Sequence, residues 1–260
     1  MTEIVPRPTA ASSRPHRSFD EALRSIADVE GWLTREQAGR LWDRASELRP
    51  GARIVEIGSF RGRSAIVLAS SAPDGVEIIT IDPHGGNDRG PQEIEGFEAQ
   101  AQEDHEVFLA NLERAGVRQR ITHLRRYSTD ALDLVAGEVD LLYIDGAHRF
   151  SPALSDIRRW GGRVAPGGTL LIHDAFSSIG VTGALAVSLF WDRGFRYVGR
   201  SGSLAEYRKQ PVRGLARLTN AARQVAQLPW FTRNVLLKLL ITLRLRPVYR
   251  LLGSDGTWPY

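Results

Sequence analysis

The sequence predicts an α/β domain with a mostly parallel sheet, helices on both faces and an antiparallel pair of strands at one edge. Strand-like and helix-like segments alternate from residue 53 onward, a spacing that favours parallel strands joined by crossover helices. Only residues 200–203 link the last two strand-like segments, and so short a connection requires an antiparallel hairpin. The chain has 260 residues, of which 42% are hydrophobic, enough for one such domain with appendages.

Each element is predicted from its local pattern and from the residues that end it. Apolar, β-branched runs that end at Gly or Asp indicate strands, and apolar residues at helical spacing indicate helices. The predicted strands are 53–57, 76–81, 121–125, 139–144, 169–173, 196–199 and 204–207. The predicted helices are 19–31, 34–48, 63–70, 98–115, 152–160 and 182–193, with more helix within 213–252.

The chain divides into four segments. Residues 1–17 are rich in Pro, Ser, Thr and Arg and lack the apolar core of a signal peptide, so we expect a disordered tail. Residues 18–50 supply N-terminal helices that would cap the domain or contact another subunit. Residues 51–210 are the α/β domain, and residues 211–260 are a basic helical extension.

The basic character of the chain belongs to that extension. The formal net charge is +4. From Pro211 onward eight basic residues face one acid, Asp255, which gives +7 there and −3 for the rest. We do not infer a nucleic-acid partner from this distribution of charge. The chain has no cysteine, which excludes disulfides and cysteine-based metal or nucleophile sites and fits a reducing cytoplasm.

A glycine-rich turn follows the first strand of the α/β domain. Glycine lets a backbone approach a ligand closely, and the helix behind the turn offers free N–H groups to an anionic group. The next strand ends in Asp82, whose carboxylate can accept hydrogen bonds from ribose hydroxyls. The alternative interpretation is a structural βα turn, with Asp82 as a cap. The candidate ligand-binding residues of the turn are Glu56, Gly58, Ser59, Gly62 and Ser64.

The spacing of the glycines narrows the ligand. Gly58 and Gly62 form Gly-x-x-x-Gly, not the Gly-x-Gly-x-x-Gly of dinucleotide-binding proteins, which argues against a nicotinamide enzyme. Ser128 and Asp130 follow the third strand, where the adenine of a nucleoside would lie. The alternative for this pair is ordinary capping of the next helix.

Two aspartates and two histidines follow the fourth and fifth strands. These strands are neighbours in a doubly wound sheet, so Asp145 and Asp174 should emerge at one rim beside the ligand cleft. A divalent cation, magnesium or manganese, would relieve their repulsion. His148 can reach the same opening as a general base that takes the proton of an attacking hydroxyl. His173 is a metal ligand, or it supports one, or it points inward.

Taken together, the motifs resemble the metal-dependent class I methyltransferases, in particular those that methylate sugar hydroxyls in macrolide and glycan biosynthesis, and also the cephalosporin-cluster enzymes. The resemblance covers about residues 31–208. The motifs are Val55-Glu56-Ile57-Gly58-Ser59 with Gly62-Arg63-Ser64, Ile81-Asp82-Pro83-His84, Asp140 to His148, Pro166 to Asp174, and Gly202-Ser203-Leu204-Ala205.

The resemblance implies a Rossmann-like methyltransferase fold that uses S-adenosylmethionine. It implies Mg²⁺ held by Asp145, which also borders the cofactor, and by an acidic pair at the position of His173 and Asp174. His173 departs from that pattern. The resemblance also implies His148 as general base, a homodimer, and a mobile loop, here residues 83–95, that covers the cleft. Residues 51–210 would then be the catalytic domain.

Three functions remain open from sequence. The first is an O-methyltransferase for a saccharide or glycoside hydroxyl, and the second is a metal-dependent methyltransferase of a catechol or other phenol. The third is a membrane-associated binding protein that keeps the fold without turnover. Residues 213–252 mix apolar and basic residues, so they either lie on an anionic membrane or pack on the domain or a partner subunit. We expect a cytoplasmic protein, or one peripheral to the inner membrane face.

Overall fold

The computed structural model describes residues 4–5, 18–85 and 98–245, which form a single sheet flanked by helices. Within these residues the sheet order is β1-β4-β3-β2-β5-β6-β8-β7. The strands are β1 (Ile4–Val5), β2 (Arg53–Ile57), β3 (Glu77–Ile81), β4 (Ile121–Leu124), β5 (Val139–Ile144), β6 (Val164–Ile172), β7 (Phe195–Ser201) and β8 (Leu204–Lys209).

The sheet has the predicted mixture of strand directions. Strands β2 to β6 pair in parallel, whereas β8 pairs antiparallel with both β6 and β7. From β2 the chain adds β3 and β4 on one side, and it then crosses back to add β5 and β6 on the other side. The strand order therefore reverses between β2 and β5. The predicted α/β class with an antiparallel edge pair is therefore confirmed.

Nine helices lie within the described residues. They are α1 (Phe19–Ser25), α2 (Arg35–Ser46), α3 (Arg63–Ser71), α4 (Glu98–Arg114), α5 (Ser128–Ala131), α6 (Phe150–Gly162), α7 (Ile179–Ser188), α8 (Leu215–Val225) and α9 (Leu228–Thr242). Capping boxes begin α1 and α2, with Ser18 and Glu21 in the first and Thr34 and Gln37 in the second.

The alternating side chains of the strands fill two cores, one on each face of the sheet. Val55 and Ile57 of β2 belong to a core that α6 and α7 cover. Ile54, which precedes Val55, points to the opposite face and belongs to a core shared with α2, α3 and α4. This period of two residues is what a strand buried on both faces requires.

Several elements differ from the sequence prediction: the helix predicted over 19–31 ends at Ser25, and the helix predicted over 182–193 spans Ile179–Ser188. Strand β6 begins at Val164 instead of residue 169, because an irregularity in its pairing with β5 lets Val139 oppose Val164. Ile4–Val5 pair antiparallel with His123 and Leu124, so at these two residues the structure differs from the disordered tail expected for 1–17. The rest of that tail lies outside the described residues, as do 86–95 of the expected mobile loop.

The N-terminal helices are attached to the same sheet. Helix α2 reaches the β7–β8 hairpin, where Arg40 and Arg44 form ion pairs with the fully buried Glu206. Gln37 also donates a hydrogen bond to Ser203 at 3.1 Å. These contacts fit the predicted capping role of residues 18–50, while a contact with another subunit stays a prediction.

Helix α8 places polar side chains inward and large apolar side chains outward. On α8, Asn220 and Gln224 are buried, whereas Leu215 and Leu218 are 81% and 56% exposed. The inward residues bond to the edge of the sheet: Tyr197 N donates to Asn220 Oδ1 at 2.7 Å, and the Tyr207 hydroxyl donates to Gln224 Oε1 at 3.0 Å. In the described part of the chain, no helix combines the length and apolar character needed to cross a membrane.

Candidate active site

The glycine-rich turn after β2 is held against the end of β5 by a close backbone approach. Gly58 has φ +84°, and a Cβ atom there would lie 2.2 Å from the carbonyl oxygen of Asp145. The Asp145 amide also donates to the carbonyl of Ile57 at 2.8 Å. Only glycine fits at position 58, because any side chain would push the turn away from the strand that carries Asp145.

Glu56 lies beneath this turn and does not line the cavity above it. Its carboxyl group is fully buried and accepts hydrogen bonds from the hydroxyls of Ser59, at 2.9 Å, and Ser64. Burial raises the pKa of Glu56 to about 8, although the two hydroxyl donors oppose that rise. The structure therefore gives Glu56 a role in shaping the turn, whereas the sequence motif had placed it among the cofactor contacts.

Asp82 reaches back from the end of β3 to the same turn. Its Oδ2 accepts the backbone N–H groups of Ser59 and Phe60, both at 2.8 Å, and its Oδ1 accepts the N–H of His84 at 2.8 Å. Burial would raise the pKa of Asp82, but His84 and these three donors outweigh it and lower the pKa. A carboxylate has about four acceptor directions, so roughly one remains for a ribose hydroxyl.

A cavity of about 460 Å³ opens above the turn. Seven of the residues predicted from sequence line it: Gly58, Ser59, Ser64, Asp82, Ser128, Asp145 and His148. Gly62 begins α3 behind the turn, and Asp130 is exposed on α5 outside the lining. Ser128 donates to Asp156, and the Trp160 indole donates to the Ser128 carbonyl at 3.1 Å, so α6 fixes the position of this serine.

Two aromatic residues of the lining were missed by sequence reasoning. Trp32 is 54% exposed and stacks on Phe60, with ring centroids 5.6 Å apart and planes at 25°. Tyr127, at the start of α5, is 44% exposed. Neither belongs to a recognisable motif, although an exposed aromatic next to a ligand-binding turn is a signal in itself.

The four predicted polar residues of β5 and β6 meet as one chain of charges. His148 Nε2 lies 3.0 Å from Asp174 Oδ2, and His173 Nδ1 lies 3.1 Å from Asp145 Oδ1 and 3.8 Å from Asp174 Oδ2. The buried hydroxyl of Tyr143 donates to Asp145 Oδ2 at 2.8 Å. The predicted convergence of the two aspartates at one rim is confirmed.

His173 stands between the two carboxylates, which the sequence did not predict. Burial would lower its pKa, but Asp145 and Asp174 outweigh burial and raise it well above the ordinary value. The same partners, with His148, hold the pKa of Asp174 well below its ordinary range against the effect of burial. A positive charge at His173, which the raised pKa favours, would offset the carboxylates that the sequence argument had assigned to a divalent cation.

His148 is the most exposed member of this chain, and it lines the cavity together with Asp145. Its side chain is 47% exposed, whereas that of Asp174 is 9% exposed. Desolvation would lower the pKa of His148, but the hydrogen bond to Asp174 and the charges of Asp174 and Asp145 raise it. Ser178 donates to the His148 carbonyl at 3.2 Å, and Gly180 leaves room for that carbonyl, because a Cβ there would meet it at 2.2 Å.

Residues 55–175 match a family model described as "Methyltransferase domain". The match begins in β2 and ends just after Asp174, so it contains the glycine-rich turn, Asp82 and the charged chain. This part of the chain is therefore similar to methyltransferase domains. The resemblance noted from the motifs is confirmed at this level.

Solved structures share the fold of this domain. The cofactor-bound Rv0187 from MTB is 19% identical, covers 74% of this chain and 89% of its own, and has a TM-score of 0.54. The O-methyltransferase TomG from Streptomyces achromogenes, solved with SAM, is 18% identical over 74% and 87% of the two chains, with a TM-score of 0.52. The Bacillus cereus O-methyltransferase, solved with SAH, is 17% identical over 74% and 90%, with a TM-score of 0.51.

Curated relatives align over shorter stretches. The small-subunit ribosomal RNA methyltransferase G of Mycolicibacterium vanbaalenii is 35% identical over 95 residues, which are 31% of this chain and 41% of that protein. The protein R132 of Acanthamoeba polyphaga mimivirus is 29% identical over 125 residues, 46% of this chain and 50% of that protein. The chain thus spans half or less of the length of the curated relatives it matches.

Glu56 makes the stability of the methyltransferase domain depend on pH. Its pKa is about 8 in the folded chain and near 4.5 when unfolded, so the unfolded state releases this proton first as pH rises. Its contribution to the free energy of unfolding should therefore fall between about pH 4.5 and 8, by up to about 1.4 kcal/mol per pH unit. Glu56→Gln removes the ionisation and should flatten this part of the curve in urea unfolding from pH 5 to 8.

The conservative variant Asp130→Asn is the control, since Asp130 is exposed on α5. It should reproduce the pH dependence of the wild type. Parallel curves for the wild type and Glu56→Gln would contradict a buried, neutral Glu56.

Proposed function

We propose that the chain transfers a methyl group from S-adenosylmethionine to a hydroxyl of a saccharide or glycoside, with His148 as the general base. The observation that carries this proposal is the His148–Asp174 pair, which stands at the rim of the cavity formed by the glycine-rich turn. A hydroxyl is a poor nucleophile while it keeps its proton, and a histidine oriented by a carboxylate removes that proton.

The cavity supplies the cofactor side of the proposal. Gly58, Asp82 and Ser128 would hold the nucleoside, and the remaining acceptor direction of Asp82 would serve one ribose hydroxyl. When bound, the cofactor supplies a methyl carbon on a positively charged sulfur. The carboxylates of Asp82 and Asp145, which both line the cavity, favour that charge there.

In this proposal the base acts through Nδ1 of His148, because Nε2 pairs with Asp174. His148 Nε2 donates to Asp174 Oδ2, so Nδ1 of the neutral ring holds the lone pair that takes the hydroxyl proton. The acceptor oxygen forms the new bond to the methyl carbon, and the electron pair of the broken bond stays on the cofactor sulfur. Asp174 stabilises the resulting imidazolium, as a carboxylate does behind a catalytic histidine.

A saccharide is our first choice of acceptor, and a catechol or other phenol is the alternative. Trp32 and Tyr127 offer exposed ring faces at the cavity, and such faces pack on the apolar side of a sugar ring as well as on another aromatic ring. A binding protein without turnover is less consistent with the site, because an oriented His148–Asp174 pair serves no purpose in holding a nucleoside.

Cofactor binding and methyl transfer can be measured separately. S-adenosylmethionine or its demethylated product should stabilise the folded chain, by about 2.7 kcal/mol at a hundred times its Kd. Label from [methyl-³H]-S-adenosylmethionine should then appear in saccharides or glycolipids rather than in catechols. A melting temperature that does not respond to saturating cofactor would contradict the foundation of the proposal, and label in catechols alone would select the alternative.

His148 and Asp174 should act together in turnover. His148→Ala should lower kcat by roughly 10²- to 10⁴-fold and leave the thermal shift by cofactor intact. Because the pKa of His148 is raised above 6.5, activity should increase with pH through a limb above that value. Asp174→Asn should move this limb to lower pH as it lowers kcat. Full activity of His148→Ala would rule out the base assignment.

Magnesium is the second part of the proposal, and the residues fit it only in part. Asp145 borders the cavity, and the buried Oδ1 of Asp174 has no hydrogen-bond partner, so both present hard oxygen donors. His173 occupies the position where the resemblance implies a further carboxylate. A divalent ion held by Asp145 and Asp174 would lower the pKa of the acceptor hydroxyl.

Chelation tests this part independently of the base. EDTA should lower turnover, and added Mg²⁺ should restore it, with the cofactor's thermal shift unchanged. His173→Asp supplies the missing carboxylate and should lower the Mg²⁺ concentration needed for half-maximal rate, whereas His173→Asn should not. Turnover that resists EDTA would contradict the metal and leave the His148–Asp174 pair standing.

The third part of the proposal is that α8 and α9 contact an anionic membrane. Leu236, Leu239 and Leu243 recur along the outer side of α9 and are 42–57% exposed. Arg213 and Arg244 are exposed on the C-terminal extension, which has eight basic residues and only one acid. Apolar side chains among arginines match the interface of an anionic bilayer.

Vesicle flotation should show this contact. The full chain should float with vesicles that contain phosphatidylglycerol and much less with pure phosphatidylcholine. Leu236→Ser with Leu239→Ser should abolish flotation, whereas Val187→Ser, an exposed apolar residue on α7, should not. If the leucine variants instead change the oligomeric state and the wild type does not float, this surface joins two subunits.

A further inference from the structure

A second cluster of titratable side chains lies behind the cofactor cavity, apart from the charged chain of β5 and β6. His84 follows β3, His105 lies on α4 and His123 lies on β4, and all three are buried. Their ring centroids form a nearly equilateral triangle with sides of 5.1, 5.4 and 5.5 Å. Three histidines from three elements thus lie next to one another.

Hydrogen bonds on the outside of the cluster determine which nitrogens face inward. His84 Nε2 lies 2.8 Å from the carbonyl of Phe60, which can only accept, so Nε2 carries a proton and Nδ1 of the neutral ring has the lone pair. His123 Nδ1 bonds to the hydroxyl of Thr80 at 2.9 Å. The other nitrogens, His84 Nδ1 and His123 Nε2, are buried without a hydrogen-bond partner.

Buried nitrogens without a hydrogen-bond partner call for an explanation, and a bound ion is one. Each of the three histidines offers a ligand atom within 4.8 Å of the other two, and no other group of three in the described residues does so. In His84 and His123 the other ring nitrogen bonds to a carbonyl and a hydroxyl, respectively. Such bonds orient imidazole ligands on a metal.

We propose that His84, His105 and His123 bind a zinc ion. Zinc accepts imidazole nitrogens at about 2.0–2.1 Å in tetrahedral geometry, which places neighbouring ring centres roughly 5 Å apart, as in this triangle. The ligand nitrogens must then approach to roughly 3.4 Å of one another, which small ring rotations achieve. Three protein ligands leave one coordination position open.

The charges around the cluster allow a cation. Asp82 Oδ1 lies 3.6 Å from His84 Nδ1 and supplies negative charge. Arg125 approaches from the other side, with Nη1 at 3.4 Å from His105 Nδ1, but its stronger bond runs to Gln102 Oε1 at 2.8 Å. Zinc would therefore have the carboxylate of Asp82 nearby, and the Arg125 contact of His105 that its binding would alter is the longer of the two arginine bonds.

The ion would fix one wall of the cofactor cavity. His84 and Asp82 both line that cavity, whereas His105 and His123 stand behind it on α4 and β4. A zinc ion would clamp the end of β3 to these two elements, and with it the carboxylate that faces the ribose. The site is structural in this role and takes no part in proton transfer.

Zinc uptake by the full chain tests the proposal directly. The protein should be purified without a histidine tag and treated with a chelator to remove bound metal. Titration with ZnCl₂ in a calorimeter should then show one zinc ion bound per chain. His105→Gln and His123→Gln should each weaken binding by at least about tenfold. X-ray absorption at the zinc edge of the wild type should show imidazole nitrogens at about 2.0–2.1 Å.

His173→Gln is the matched control, because it removes a buried histidine from the charged chain and should leave zinc stoichiometry unchanged. Zinc lost in that variant but retained in His105→Gln and His123→Gln would belong to the catalytic rim and would overturn the proposal. Failure of the wild type to bind zinc at micromolar concentration would overturn it as well. The absorption spectrum decides even if His123→Gln does not fold, and none of these measurements depends on methyl transfer.

Discussion

The approach of Gly58 to the carbonyl of Asp145 is the constraint on which both halves of the site depend. Strands β2 and β5 are parallel neighbours, so their carboxyl ends meet at one edge of the sheet. At this edge a Cβ atom at position 58 would lie 2.2 Å from the Asp145 carbonyl. The turn that would hold a nucleoside and the strand that carries the charged chain are therefore fixed to each other through backbone, without an intervening side chain.

Charge compensation links the other residues of the site. Asp145, His173, Asp174 and His148 alternate between carboxylate and imidazole along a path that runs from the buried sheet to the half-exposed imidazole at the cavity. Each member raises or lowers the pKa of the next, and the order leaves His148 as the only one of the four histidine and aspartate side chains that is close to half exposed. A metal ion at this rim would bind beside two carboxylates that already pair with imidazole rings.

The sequence predicted the framework better than the contacts of individual side chains. The strand at 139–144 has the predicted bounds, and its pairing with β6 brought Asp145 and Asp174 together as expected. Strand positions follow from the pattern of apolar residues along the sequence, and strand order follows from the rules that govern connections between strands. Both can therefore be predicted. The position of His173 between the carboxylates depends on side-chain rotamers, and so does the withdrawal of Glu56 beneath the turn.

The histidines at 84, 105 and 123 show the same limit from the other direction. They are separated along the chain by 20 residues or so and follow no metal-binding spacing, so no motif joins them. Only the parallel pairing of β3 with β4, and the packing of α4 over both, bring the three rings together. Clusters assembled by tertiary structure from three elements remain invisible to a search for local patterns.

The C-terminal extension has a consequence for the inner wall of the site. Asn234 of α9 donates to the carbonyl of Phe176 at 3.5 Å, and Lys238 donates to that of Ser177 at 3.1 Å, within the segment that follows Asp174. Asp174 and Phe176 both have positive φ, so this segment holds a backbone shape that ordinary residues disfavour. Helix α9, which presents leucines outward, thus also supports the backbone that follows Asp174, and a change on the outer surface of this helix would reach the carboxylate that pairs with His148.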